Sequence, residues 1–437
     1  MKNEECATAI QKMNYDFDEI VNRRGTDCVK WDEELPIRPD DQLSKQPDDV
    51  IPLWVADMDF RAAPAIIDAL RRRVDHGVFG YTQVPESYYE AVISWFSRRH
   101  SWTIQREWIQ YTTGVVPALS VVIKALTQPG DEVILQTPVY NCFFSSVRNN
   151  GCTIVENRLK RNATSFEMDY DDLAHCAASP RAKVLVLCNP HNPVGHVWTS
   201  GELSRLYNIC KKNGVIVVSD EIHNELTFRG RRYVPFGTVA GMDGTISAAG
   251  RNTTAAQDVV VLTSPSKSFN TAGLQIANII CANDGMRRRI DRAINVNEVC
   301  DVNPFGVVAL QAAYNESEAW LDALCEYIWQ NYEMLRNFFV RELPQFKVMP
   351  LEGTYLVWVD ISAAGMTSDA LADCLLREAA VRVNSGTMYG QAGEGFIRLN
   401  IACPRSRLME ALRRISRFFG SMTQKDGCNF GEFDKKA

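Results

Sequence analysis

Nothing in the 437 residues approaches the ~18 consecutive apolar positions of a membrane-spanning helix. The first residues, Met1 to Phe17, include Glu4, Glu5 and Asp16 and hold no hydrophobic stretch of the kind a secretory leader needs. A cytoplasmic location is the expectation that follows. Cationic excess is absent too: 47 Lys and Arg face 53 Asp and Glu, a net charge of −6, so the basic surplus that phosphate-backbone binding leaves in a sequence is missing. Neither nucleic acid nor a membrane is an expected partner. The 13 cysteines form no C-x-x-C pair, and a chain of this length needs no disulfide framework, so reduced thiols, mostly in the core, are anticipated. The six histidines make no H-E-x-x-H and no Cys/His cluster, which argues against a metal. No G-x-G-x-x-G follows a strand-like run, which disfavours a nicotinamide dehydrogenase, and no internal repeat is present. The sequons at Asn162, Asn252 and Asn315 read as chance matches without a secretory route.

What is there is a globular composition, 46% apolar and 23% charged, on a length suited to two or three domains. Between residues 130 and 285, β-branched apolar runs alternate with helix-length stretches: Glu132-Val-Ile-Leu-Gln136, Lys183-Val-Leu-Val-Leu-Cys188, Val215-Ile-Val-Val-Ser219, Val259-Val-Val-Leu262 and Ala277-Asn-Ile-Ile-Cys281. Such runs predict buried, mainly parallel strands of an α/β sheet flanked by helices. All but the last run into polar or proline-containing clusters: Thr137-Pro-Val-Tyr140, Asn189-Pro-His-Asn-Pro193, Asp220-Glu-Ile-His223 and Ser264-Pro-Ser-Lys267. Ligands of open α/β sheets bind beyond the carboxyl ends of the strands, so the four clusters read as one site. Around this sheet the sequence predicts an N-terminal arm over 1–50, a large domain over 51–303, and a smaller α+β domain over 304–437. The last is entered by one long helix from Pro304 to Leu343. The Gly-, Ala- and Thr-rich stretch 241–258 reads as a surface insertion.

Within the clusters, Lys267 follows a buried strand directly. A lysine withheld from water has a depressed pKa and acts as a Schiff-base nucleophile, although on the tetrapeptide alone a solvated loop lysine is the favoured reading. Ser264-x-x-Lys267 also fits the S-x-x-K of serine acyl-enzymes, but the S-D-N and K-T-G partners of that chemistry are missing. Asp220 ends an apolar strand and needs either a helix to cap or a cation to face. Lysine and aspartate at neighbouring strand ends match the pair that holds pyridoxal 5′-phosphate, one by its aldehyde and the other by its ring nitrogen.

Taken together, Asn189-Pro-His-Asn-Pro-Val-Gly195, Ser219-Asp-Glu-Ile-His223 and Ser264-Pro-Ser-Lys267 resemble the fold type I aminotransferase superfamily of pyridoxal-phosphate enzymes. Four further segments look like its MalY/PatB subfamily of carbon–sulfur β-lyases: Phe17 to Thr26, Trp54-Val-Ala-Asp-Met-Asp-Phe60, Gly77-Val-Phe-Gly-Tyr-Thr82 and Arg398-Leu-Asn-Ile-Ala-Cys-Pro-Arg405. The resemblance implies that Lys267 is the Schiff-base lysine, Asp220 the partner of the pyridine nitrogen and Asn192 a donor to the phenolate oxygen. It further implies that Tyr140 stacks on the ring and that Arg398 clamps the substrate carboxylate, with Asn192 and Tyr140 beside it. Gly114, Val115 and Val116, opening the helix Pro117 to Leu126, would hold the phosphate, helped by the hydroxyls of Ser264 and Ser266. Tyr81 would reach the phosphate of the neighbouring subunit, implying a homodimer with shared sites; without the family it reads as a buried tyrosine.

Two positions depart from the broader superfamily. His223 stands where many relatives carry tyrosine, a feature of the lyase subfamily, and His223 is counted among the cofactor-side residues. Gln275 occupies the position of a phosphate-binding arginine. Arg405 reads as structural. The implied activity is conversion of L-cystathionine or related cysteine S-conjugates to a thiol, pyruvate and ammonia; an aminotransferase, or a regulatory protein on the same fold, is the alternative.

Overall fold

A computed structural model of the chain describes residues 15–33, 49–162, 164–242, 258–296 and 301–425. Its centre is a seven-stranded sheet: β1 (Ile109–Thr112), β2 (Glu132–Leu135), β3 (Thr153–Glu156), β4 (Ala182–Cys188), β5 (Ile216–Asp220), β6 (Val259–Thr263) and β7 (Ala277–Ile280), in spatial order β1-β7-β6-β5-β4-β2-β3. The pairs β6/β5, β5/β4, β4/β2 and β2/β3 are parallel, whereas β7 runs antiparallel to both β6 and β1. The five predicted strands are all present within a residue or two of their expected ends. The sequence reading passed over β1 and β3, whose Gln110, Tyr111 and Glu156 interrupt the apolar run. Alternation along each strand feeds two cores. Leu185, Leu187, Val217, Val259 and Val261 face one side, while Val184, Val186, Val218, Val260 and Leu262 face the helix Val115–Leu126 on the other.

The helical pattern from Pro304 is two helices, Pro304–Glu316 and Glu318–Glu342, rather than one. Ser317 leaves the helical region at φ −117°, and its hydroxyl returns to the carbonyl of Ala312 at 2.9 Å. Serine competes for backbone partners in this way and favours helix ends. Beyond lies a second sheet, β8 (Lys347–Val348), β9 (Leu356–Asp360), β10 (Asn384–Ser385) and β11 (Phe396–Asn400), ordered β8-β9-β11-β10. Trp358 and Phe396 stack across it with ring centroids 5.0 Å apart. Residues 51–52 pair in parallel with 381–382 in a separate two-stranded sheet, tying this early segment to the C-terminal part of the chain. Residues 243–257 of the expected insertion lie outside the described residues. No helix among the described residues is long and apolar enough to cross a membrane.

Candidate active site

The register of the central strands is what assembles the site. Cys188 pairs with Asp220 and Asp220 with Leu262, so β4, β5 and β6 end level and their following loops meet at one edge. Thr112 at the end of β1 and Ala277 at the start of β7 lie opposite each other at this edge, which brings Gly114 and Gln275 to the same place. A cavity of about 280 Å³ opens there, and Lys267, Asp220, Asn192, Tyr140, His223 and Ser266 all line it.

Period-two alternation turns Asp220 to the same face as Val218, toward the helix Val115–Leu126. Its carboxylate is buried and accepts one backbone bond, from Ile222 N at 3.1 Å. Burial pushes its pKa up to about 7, against the opposing pull of that N–H and of the Lys267 charge. Lys267 sits in a loop stapled by Phe269 N to Pro265 O and Thr271 N to Ser266 O, and its Nζ donates to the carbonyl of Ala56 at 2.7 Å. Burial draws its pKa below the ordinary lysine value and Arg398 adds to the effect, while Asp57 and Asp220 oppose it. The solvated-loop reading of Lys267 therefore fails. His223 is buried with Nδ1 unpartnered among the described residues, and burial, then Lys267 and Arg398, hold the imidazole neutral. Its ring meets Tyr355 edge-on at 5.9 Å.

On the opposite wall the helix Val115–Leu126 begins two residues before its expected start at Pro117, so Gly114 is its N-cap and the amides of its first turn border the cavity. Ser266 lines the cavity, but Ser264 does not. The Ser264 hydroxyl donates to Ile276 O at 2.7 Å and accepts from Ser266 N at 3.1 Å. With its one proton committed to the loop, Ser264 is a brace rather than the phosphate donor the sequence suggested. Gln275, at φ +53°, also borders the cavity.

Arg398 lies mid-strand in β11, flanked by Trp358 and Asn384, and is 3% exposed. Nη1 donates to Asn192 Oδ1 at 3.1 Å and Nη2 to Trp54 O at 2.8 Å, and the guanidinium sits 4.8 Å above the ring of Tyr389. Nε, though buried, has no partner among the described residues. A buried guanidinium bound only by neutral oxygens is short of an anion, and a planar bidentate ligand such as a carboxylate supplies one.

Tyr81 stands apart. It is 100% exposed, which overturns its reading as a buried tyrosine, and it takes no part in the cavity of its own chain. Val78 and Phe79 beside it are also more than half exposed. Arg405 is outside the cavity as expected, its Nη2 donating to Gln330 Oε1 at 2.9 Å. The sequence reading assigned no role to Ala56, Tyr355 or Tyr389. Ala56 acts through its carbonyl, which no side chain announces, and the two tyrosines look in sequence like core aromatics.

Residues 48–415 match the family Aminotransferase class I and II. The chain belongs to this family. Among its curated members, cystathionine beta-lyase PatB of Bacillus subtilis (strain 168) is 39% identical over 399 residues, spanning 91% of this chain and 98% of PatB. Protein MalY of Escherichia coli (strain K12) is 32% identical, covering 90% and 96%. Among solved structures, cystalysin from Treponema denticola, which contains a pyridoxal 5′-phosphate cofactor, superposes with a TM-score of 0.86 at 33% identity over 94% of this aminotransferase-family chain and all of its own.

Proposed function

We propose that this aminotransferase-family protein is a pyridoxal-phosphate-dependent carbon–sulfur β-lyase that takes L-cystathionine or another L-cysteine S-conjugate to a thiol, pyruvate and ammonia. The observation that carries the reading is one cavity lined by Lys267 and buried Asp220, with Arg398 against Asn192 and its Nε unpartnered among the described residues. The cystathionine β-lyase at 39% identity gives the reaction class.

The residues fit the cofactor group by group. Asp220, kept near 7 by burial, lacks the cation that a protonated pyridine nitrogen provides. The amides of Gly114, Val115 and Val116 and the Ser266 hydroxyl suit the phosphate, with Gln275 leaving no guanidinium at that wall. Tyr140 suits the ring face and Asn192 the phenolate oxygen. When bound, pyridoxal phosphate supplies an aldehyde for amine exchange and a ring that takes up the electron pair left at Cα. Lys267 Nζ, whose pKa burial draws below the ordinary lysine value, receives the Cα proton once it is free as an amine. Arg398 binds the α-carboxylate in a fork and, through Asn192, fixes its orientation so that the Cα–H bond faces that amine. Asp220 holds the proton on the ring nitrogen.

The same reading divides the chain into an arm over 1–50, a large domain over 51–303 and a small domain over 304–437, and pairs it as a cytoplasmic homodimer. Tyr81 then serves the phosphate of the partner subunit, which the full exposure of Tyr81 and the more-than-half exposure of Val78 and Phe79 support. The test is to incubate the holoenzyme with L-cystathionine and no keto acid while following pyruvate. Pyruvate formation is the expected result. Strict dependence on an added keto acid, with conversion of the cofactor to its amine form, would make the protein an aminotransferase and overturn the reading.

A further inference from the structure

The carbonyl of Ala56 accepts two side-chain donors: Lys267 Nζ at 2.7 Å and the hydroxyl of buried Tyr355 at 2.9 Å. Both lone pairs of that oxygen are thereby assigned, one to each donor. Every element around it is fixed. Asn400 Nδ2 donates to Val55 O and to Asp57 O at 2.6 Å each, clamping the peptide on both sides of Ala56. Tyr355 follows Thr354, a β-branched residue at φ +68°, a conformation such residues seldom adopt. Thr354 is held there by its N–H to Leu226 O at 2.8 Å and by Leu356 N to its Oγ1 at 3.1 Å. Gly353 permits the approach, since a Cβ there would lie 2.8 Å from Val197 Cγ2 and 3.0 Å from Leu226 O. A strained backbone maintained by several bonds beside a reactive amine is a feature that surrounding structure must support, and here it delivers one hydroxyl to one carbonyl.

The geometry points to Tyr355 as a positioning residue for the base: by occupying one lone pair of Ala56 O, it confines the amine of Lys267 to the other and so aims the nitrogen lone pair. This rests on the reading of Lys267 as the group that receives the Cα proton. An amine that donates one N–H to a fixed acceptor keeps its lone pair in a fixed direction, whereas an acceptor with both sites open lets it swing. The hydroxyl also competes with the amine for the carbonyl. Removing it makes Ala56 O a better acceptor for the ammonium form.

Tyr355→Phe keeps the ring and its edge contact with His223 and deletes only the donor. Two measurements decide the matter. In the full-length chain freed of cofactor, reductive methylation with formaldehyde, followed by mass spectrometry of the Lys267 peptide across a pH series, gives the midpoint at which that amine becomes reactive. In the holoenzyme, steady-state pyruvate release separates kcat from KM. The expected result is a labelling midpoint raised by about 0.5 pH unit or more, with kcat lowered about tenfold and KM within about twofold. Tyr332→Phe, which removes another buried tyrosine's hydroxyl, bonded to Met349 O, leaves the Lys267 midpoint where it was. An unchanged midpoint with unchanged kcat in Tyr355→Phe, or a rise in KM alone, overturns the assignment. If neither the original nor the variant protein releases pyruvate, the lyase reading has failed, and the labelling midpoint alone still decides the role of Tyr355.

Discussion

Asp220 and Arg398 carry opposite burdens at the level of single residues. Asp220 has a folded-state pKa raised from the ordinary 3.8 to about 7 by burial. Its charged form therefore costs the cofactor-free fold nothing in acid, progressively more through the interval between those values, and the full amount above the upper one. Asp220→Asn removes that cost. Thermal melts of the cofactor-free variant are expected to show a gain of ~1–3 kcal/mol near pH 8 that shrinks toward pH 5, together with weaker retention of pyridoxal phosphate. A gain of equal size at both pH values would mean that the carboxylate is not the source. Arg398 is the converse case, a buried cation with one donor waiting. Arg398→Ala strands Asn192 and empties the fork. The loss in kcat/KM for an amino-acid substrate should be about 2–4 kcal/mol, carried mainly by KM, because the carboxylate contact exists before and during proton removal. An S-alkyl cysteamine, which keeps the amine and the carbon–sulfur bond but lacks the carboxylate, should feel the change far less.

Elements, more than residues, decided how legible this protein was. That Lys267, Asp220 and Asn192 meet at one cavity was legible because each lies at or just beyond the end of an apolar strand, and Arg398 stands out because it interrupts one. The strands β4 to β7 were readable for the same reason, being near-continuous Val, Ile and Leu. β1 and β3, at opposite edges of the sheet, carry polar residues on a half-covered face and fade into the background. The Ser264 hydroxyl was misread because its partner is a backbone carbonyl twelve residues away, Ile276 O, a contact made by the return of β7 along β6. The loop between β10 and β11 was likewise silent in sequence, yet it delivers Tyr389 beneath the guanidinium of Arg398. That delivery depends on two backbones touching: a Cβ on Gly386 would lie 1.9 Å from Gly393 O and 2.6 Å from Phe396 O. Backbone atoms cannot rotate aside as a flexible side chain does. Gly386→Ala should therefore cost about 1–3 kcal/mol or more in stability by displacing the loop. Substrate KM should rise with it while the Lys267 Schiff-base absorbance is retained, since Lys267 belongs to the other sheet. Loss of that absorbance with KM intact would separate the loop from Arg398.

For the whole molecule, the decisive side chain is one that its own chain leaves unused. Tyr81 lies fully in solvent, beside Val78 and Phe79 at more than half exposure, and Phe79 makes a tilted contact with Phe305, ring centroids 5.6 Å apart, under the guanidinium of Arg73. In the proposed homodimer this aromatic and aliphatic surface would form a self-complementary face, with each subunit completing the cavity of its partner. Such sharing has a consequence that no single-chain site can imitate. Tyr81→Ala and Lys267→Ala each damage every site when present in both subunits. When the two variants are unfolded, mixed and refolded together, half of the dimers carry one chain of each kind. In such a dimer one site combines Lys267→Ala with the partner's altered position 81, and the other is intact. Recovered pyruvate release should then approach about a quarter of the original activity, from two preparations that separately give far less. If Tyr81 instead served its own chain, the mixed dimers would contain one site lacking the lysine and one lacking the tyrosine, and mixing would restore nothing. The arithmetic thus tests dimerisation and site sharing together, and light scattering on the same samples confirms the mass of the species that is active.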